Sequence, residues 1–357
     1  MTVTWLGCDL ATGRIAAELP ALAPSVPISR RIGGPTSVGF SLPLAGAPAR
    51  WELATDPGRT MIVALADDMP VWAGIILTRT GGSAPTASLG CATPEAYFDR
   101  RYAGNHAWTQ QDEASVIAAG LIGDTQVDGL GLTIDAPATG TPRNRQYTDD
   151  ADATVLSRLQ ELMDIDGGPE FTVEPRWRAG VGPTTIELVA RVRNRIGVQP
   201  AQPGAVFVHP GNVADYALAE SYETGKGANL VRARGDGEGE DRHTSADMVA
   251  SELLAAGWPR YEHRYTPGTS IRAQDVLDGH ARAALEAMRA GAQVWTVNAV
   301  ASTAPRLGRD WGLGDTVGLH VITSPRHRGG VMVTARAWGW EWDPAADRVS
   351  PILLQEA

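Results

Sequence analysis

One stretch, TMIVALADDMPVWAGIILT (residues 60–78), constrains this chain more than any other. Two runs rich in β-branched and aliphatic residues, Thr60–Ala66 and 71–78, flank DDMP, where Asp67, Asp68 and Pro70 are turn formers. The pattern predicts a hairpin. Similar short runs punctuated by glycine and proline fill residues 1–92, and the chain's 40 Gly and 24 Pro supply turns for many more. Strand after strand with such punctuation implies a sandwich or small barrel.

After Cys91 the texture changes. DEASVIAAGLIG predicts a short helix opened by Asp112 and closed by Gly123. DDADATVLSRLQELMDIDGGPEF predicts a firmer one, with Leu156, Leu159, Leu162 and Met163 on one face, Asp150 or Asp152 as cap, and Gly167, Gly168 and Pro169 as stop. In TTIELVARVRNRIG, Ile186, Leu188, Ala190 and Val192 alternate with Glu187, Arg191 and Arg193, a strand with one wet face. Residues 93–204 thus form a mixed α/β segment. Strands return over 205–240. Two helices are expected within 241–291. The first starts at Thr244 or Ser245 and ends at Gly257. The second spans about 270–289, with Val276, Ala284, Leu285 and Met288 inward. Strands then run over 292–357. The expected fold is mainly β with α+β inserts: two β-barrel blocks (1–92; 205–240 with 292–357), an α/β insert (93–204) and a helical insert (241–291). At 357 residues, two to three domains are expected. No repeat with a fixed period of about 20–50 residues is visible.

A net charge of −10 argues against nucleic-acid binding, which needs a basic footprint. Lys226 is the one lysine among 31 basic residues, which reads as the coding bias of a GC-rich genome. Cys8 and Cys91 lack metal-type spacing and read as small buried thiols, with their pairing left open. The start, MTVTWLGCDL, is no signal peptide. No apolar run approaches the roughly 18 residues of a membrane span. Folding in a cytoplasm is expected, with no cofactor or metal.

Catalytic signatures are incomplete. Around ETGKGANL, Glu220 and Gly227 stand where a phosphate loop needs Gly and Ser or Thr, and Ser37 follows Pro35-Thr36 rather than the nucleophile-elbow glycine. His209 and His320 read as structural. Asp236, Glu238, Glu240 and Asp241 alternate like a calcium loop, but Asp241 stands where the sharp turn needs Gly. Arg234–Asp236 spells Arg-Gly-Asp, a tripeptide common by chance. Asp164, Asp166 and Glu170 are the carboxylates a wall hydrolase would use. Trp338, Trp340 and Trp342 alternate along one expected strand, so three indoles would share a face. Ala337, Gly339 and Glu341 opposite them have little to bury, so the indoles read as core or interface, with a sugar-stacking platform as the alternative.

Taken in order, IVALADDMPVWAGII, a helix ending in GGPEF, GANLVRARGDG, and the closing run TVNAV, APRLGRDWGLGDTVGLHV and GGVMVTARAWGWEWDP resemble the tail-tip or baseplate hub proteins of long-tailed, siphovirus-type phages. The similarity covers most of the chain and consists of strand-and-turn patterns. The resemblance implies two similar barrels per chain and a homotrimeric ring with six quasi-equivalent positions under a six-fold tail tube. It implies a non-enzymatic adaptor in the virion tail tip, assembled from the host cytoplasm. Its partners would be the distal tail ring, the tape-measure C-terminus and tip or fibre proteins, with DNA passing through the lumen unbound and no membrane insertion. Gly314 and Asp315 would turn the chain into a strand, and the tryptophans would fill the second barrel. Because the chain stops at Ala357, lytic or receptor-binding activity is expected on another protein.

Overall fold

The computed structural model describes residues 2–165, 167–267 and 271–354. The chain is mainly β with α+β inserts. Its first strands are β1 (Val3–Asp9), β2 (Ile15–Glu18), β3 (Ala23–Pro24), β4 (Ile28–Arg31), β5 (Ser37–Pro43), β6 (Thr60–Ala66), β7 (Met69–Thr80) and β8 (Thr86–Ala92), with one helical turn, α1 (Trp51–Ala54), before β6. All but β4 form one sheet in the order β2-β1-β6-β7-β8-β5-β3. The predicted hairpin is β6–β7. Ala66 opposes Met69, and Asp67 and Asp68 take φ of 45° and 67°, the two left-handed positions of a tight hairpin turn. Pro70 lies in the strand rather than the turn. The unbroken apolar run of β6 has a cause: Ile62, Ala64 and Ala66 enter one core while Met61, Val63 and Leu65 enter another on the opposite face. Cys8 and Cys91 belong to these two different cores. Both are free, and burial pushes both thiols up to about 12.

The second core lies under the α/β insert. There β9 (His106–Asp112) pairs with β11 (Pro142–Tyr147), while β10 (Thr133–Asp135), β12 (Glu170–Trp177) and β13 (Ile186–Arg193) form a sheet in the order β10-β13-β12. Asp112 caps the expected first helix, its Oδ1 accepting from Ala114 N and Ser115 N. That helix starts as a π turn, Glu113–Ala118, and continues as α2 (Ala119–Asp124). In α3 (Val155–Met163), Leu156, Leu159 and Leu162 are buried as their spacing predicts. Its cap is Thr154, whose Oγ1 accepts from Ser157 N, rather than Asp150 or Asp152.

The second large sheet uses β14 (Val206–His209) and β15 (Val213–Ser221). A small body then intervenes: β16 (Leu230–Ala233), β17 (Met248–Val249), α4 (Ser251–Ala255), β18 (Glu262–Tyr265) and α5 (Gln274–Met288). The sheet resumes with β19 (Ala292–Val300), β20 (Thr316–Val321), β21 (Val331–Asp343) and β22 (Arg348–Leu354), in the order β14-β20-β21-β22-β19-β15. The helix expected from Thr244 shrinks to α4. Ser245 Oγ accepts from Ala233 N and Asp278 Oδ1 from Ala246 N, holding the preceding residues extended for β17 to pair with β16. In α5 the buried stripe is Leu277, Ala281 and Leu285, with Val276, Ala284 and Met288 flanking it half-buried. Residues 268–270, within the expected helix start, lie outside the described residues.

Two features tie the parts together. The two large sheets repeat one plan. With β2 set aside as an extension of the β1 hairpin, each sheet orders its six strands first-fourth-fifth-sixth-third-second by appearance in the chain. They differ in the first strand: β1 runs antiparallel to β6, β14 parallel to β20. The fifth strand of each, β7 and β21, is long and bulged. Secondly, α5 docks on the α/β insert. Fully buried His280 turns Nδ1 to the Asp164 carbonyl, 3.2 Å away, and its Nε2 has no partner.

Burial, aided by the charges of Arg145 and Arg143, holds His280 down at about 4 against its ordinary 6.5, with the Asp164 carbonyl opposing. Above pH 6.5 the imidazole is neutral whether folded or unfolded. Below it, the unfolded chain takes up a proton that the folded chain refuses, so stability falls as pH drops toward 4. The loss is about 1.4 kcal/mol per pH unit, about 3 kcal/mol in all. His280→Leu should flatten this acid limb, measured as urea midpoints at pH 7 and 4.5. An unchanged slope would place the titration elsewhere.

Candidate functional site

The tryptophan-rich strand sits where the two sheets meet. β21 pairs with β20 over its first half, with β22 over its second half, and with β4 from the first block at Gly339–Trp342. A bulge between Ala337 and Gly339 changes the strand's parity. Before it, Val333, Ala335 and Ala337 face the core. After it, Trp340 and Trp342 do, each 1% exposed. Trp338 falls on the other face, half-buried under the Arg336 guanidinium at 5.4 Å. The three indoles therefore do not share a face, and the two that do offer no surface for a sugar to stack on.

Beside this strand, Ile28 of β4 opposes Trp342, and Gly339 is needed because a Cβ there would meet the Arg30 carbonyl at 2.9 Å. From the first sheet, fully buried Trp72 donates its Nε1–H to the Ser29 carbonyl of β4 at 3.0 Å. One hydrophobic cluster runs through both sheets, from Trp5, Phe40 and Trp72 to Phe207, Trp340 and Trp342. With only four Phe in the chain, tryptophan does most of this large-volume packing.

Glu170 is locked. Arg336, 4% exposed, holds it with a two-pronged ion pair, Nη1 to Oε1 at 2.5 Å and Nη2 to Oε2. Glu170 Oε2 also accepts from Ile196 N at 2.7 Å, while Arg336 Nε donates to the Gly314 carbonyl at 3.0 Å and Nη2 to the Ile196 carbonyl. The pair joins β12 of the insert to β21. A carboxylate so engaged is no acid or nucleophile. Asp164 caps α3 and is exposed, and Asp166 lies outside the described residues.

The remaining sequence candidates scatter. Asp236 pairs with Arg272 (Nε to Oδ2, 2.5 Å), whose hydrogen bond holds its carboxyl below the usual range. Gly235 is buried, so the Arg-Gly-Asp tripeptide is not displayed as a loop. Glu238 precedes a 3₁₀ turn and Asp241 ends it, the side chain of Glu240 being outside the described residues. Among the described residues no cluster of three metal-type ligands occurs. His209 Nδ1 lies 3.2 Å from the Val213 carbonyl beside a cis bond to Pro210, and half-buried His320 pairs across from Met332.

Sequence reading missed two groupings. Tyr216 stacks on Trp295 and sets its hydroxyl 2.6 Å from both Ser324 Oγ and His327 Nδ1. Half-buried Tyr222 meets exposed Trp258 and Tyr261 of the helical insert, with ring centroids 5.3 Å and 5.0 Å from Tyr222. Neither leaves a local signal, because the partners come from separate strands or loops.

No protein-family model matches the sequence, and no curated protein matches it either. Solved structures do match in fold. A 43 kDa tail protein of prophage MuSo2 from Shewanella oneidensis is 12% identical with a TM-score of 0.60, covering 99% of this chain and 98% of that one. A tail protein from Neisseria meningitidis is 14% identical with a TM-score of 0.59, covering 99% and 96%. Prophage tail protein gp18 from Listeria monocytogenes is 10% identical with a TM-score of 0.56, covering 100% and 95%. The chain has the fold of these tail proteins along its whole length.

Proposed function

We propose that this chain is a structural, non-enzymatic hub of a phage tail tip, acting as a homotrimer. The observation that carries the reading is the repeated strand order: one chain holds two sheets of one plan, so three chains supply six similar units, the number a six-fold tail tube needs. In this reading residues 1–92, and 205–240 with 292–357, form the tube barrels, less β16 (Leu230–Ala233), which pairs with β17 and β18 in the small body, while 93–204 and 241–291 are outer inserts. The ring adapts the distal tail ring and the tape-measure C-terminus to the tip or fibre proteins. The net charge of −10 suits a lumen through which DNA slips without sticking, since like charges repel. The engaged state of Glu170 and the buried Trp340 and Trp342 weigh against the hydrolase and sugar-platform readings.

The test is the mass of the purified protein by light scattering across a concentration series. A species of three times 37.8 kDa, about 113 kDa, is expected. A strict 37.8 kDa monomer at every concentration would overturn self-assembly of the ring.

A further inference from the structure

A cleft of about 610 Å³ opens where β12 and β13 of the insert, the β6–β7 hairpin and residues 307–315 converge, and Trp340 forms part of its wall. In a chain of net charge −10, it is lined by six arginines: Arg30, Arg176, Arg191, Arg193, Arg195 and Arg309. Arg176 pairs with Glu187, Arg191 with Glu174 and Arg193 with Asp135, and Arg195 is also engaged. The other lining acids are engaged locally. Asp315 accepts from Val198 N and Gly312 N, and Asp310 accepts from Arg306 N and pairs with the Arg306 side chain.

Arg30 is the anomaly. It is 7% exposed, yet its guanidinium donates only to neutral acceptors, Thr172 Oγ1 at 2.8 Å and the Val173 carbonyl at 2.9 Å. Glu95 reaches it only through the Thr172 hydroxyl. Among the described residues no carboxylate lies within ion-pair distance of Arg30, nor of exposed Arg309. Burying a charge with no direct ion-pair partner is costly, and the cleft is the side from which an anion can come.

We infer that this cleft takes an extended acidic peptide segment from a neighbouring protein, its carboxylates meeting Arg30 and Arg309. Planar guanidinium groups bind carboxylate and phosphate alike, so the cations alone leave the anion open. The rim decides: Met69 and Val198, 48% and 69% exposed, border the cleft and would be covered by a peptide's apolar side chains, which a phosphate lacks. The site lies within one chain, so it stands whether or not the ring forms.

The test uses the full chain and fluorescence anisotropy of a fluorescein-labelled peptide alternating Glu and Asp with Leu and Val, against its Gln/Asn isostere. The acidic peptide is expected to bind about tenfold or more tightly than the isostere, and Arg309→Glu to weaken it about tenfold. Arg30→Met should weaken it further. Because Arg30 is buried and that variant can fail to fold, Arg309→Glu, on the exposed rim, decides on its own. Equal binding of the isostere, an unchanged Arg309→Glu, or displacement of the peptide by inorganic phosphate at equal concentration would overturn the assignment.

Discussion

Replacing Arg336 with methionine is expected to lower stability by about 3–5 kcal/mol, because it strands the Glu170 carboxylate as a buried, unpaired charge. Removing Arg336 takes away both prongs of the pair and the donors to the Gly314 and Ile196 carbonyls, leaving Glu170 only the Ile196 N–H. The double variant Glu170→Leu/Arg336→Met should recover most of the loss, since a well-packed apolar pair in a buried site is often no worse than the ions it replaces. Urea unfolding reads this as a large fall in midpoint for the single variant and a near-parental midpoint for the double, with the m-value held. A single variant as stable as the parent would mean that water reaches the pair and that β12 and β21 are joined by something else. The same cycle bears on chemistry. A hydrolase using Glu170 would lose activity in Glu170→Gln with little change in fold, whereas a structural joint loses stability instead.

Elements whose signals are local were legible in the sequence. The β6–β7 turn is spelled by Asp67 and Asp68, the α3 face by leucines at helical spacing, and β13 by an alternation that only Val189 breaks. What was not legible is set by partners far along the chain. Trp338 alternates with Trp340 in sequence, but the bulge that reverses its face is a property of the β21–β22 pairing. Residues 244–250 have helical composition, yet Ser245 and Asp278 hold them for pairing. The four-residue strand β4, with the sequence ISRR, carries no sign that it leaves its own block to pair with β21. The repeated strand order is likewise a matter of which strand lies beside which, and it leaves no fixed period in the residues. Glu170 looked available because its partner lies 166 positions away.

The strand β4 carries the second large effect. Trp72→Ala is expected to cost about 3–5 kcal/mol through the cavity it opens, since the indole is fully buried against Phe40. Its seat is built for it: a Cβ on Gly74 would lie 2.3 Å from the ring, so the strand leaves that space empty for the indole to fold across. Trp72→Phe keeps most of the ring and loses the N–H to Ser29. The Ser29 carbonyl still accepts from Thr36 Oγ1, so that variant should cost only about 1 kcal/mol beyond its smaller volume. The difference between the two variants separates packing from hydrogen bonding. Where the stability goes is the sharper question. If Trp72 clamps β4 against β21, the Trp72→Ala chain should show faster native-state hydrogen exchange at the amides of β4 and at the β21 residues opposite it, Gly339–Trp342, before the rest of either sheet. Exchange that rises evenly across the first sheet, with the β4 amides no faster than the others, would mean that β4 is held by Ile28 against Trp342 and that Trp72 only fills the core. A clamped β4 makes the two like-ordered sheets one mechanical unit, which a ring bearing load through both would require.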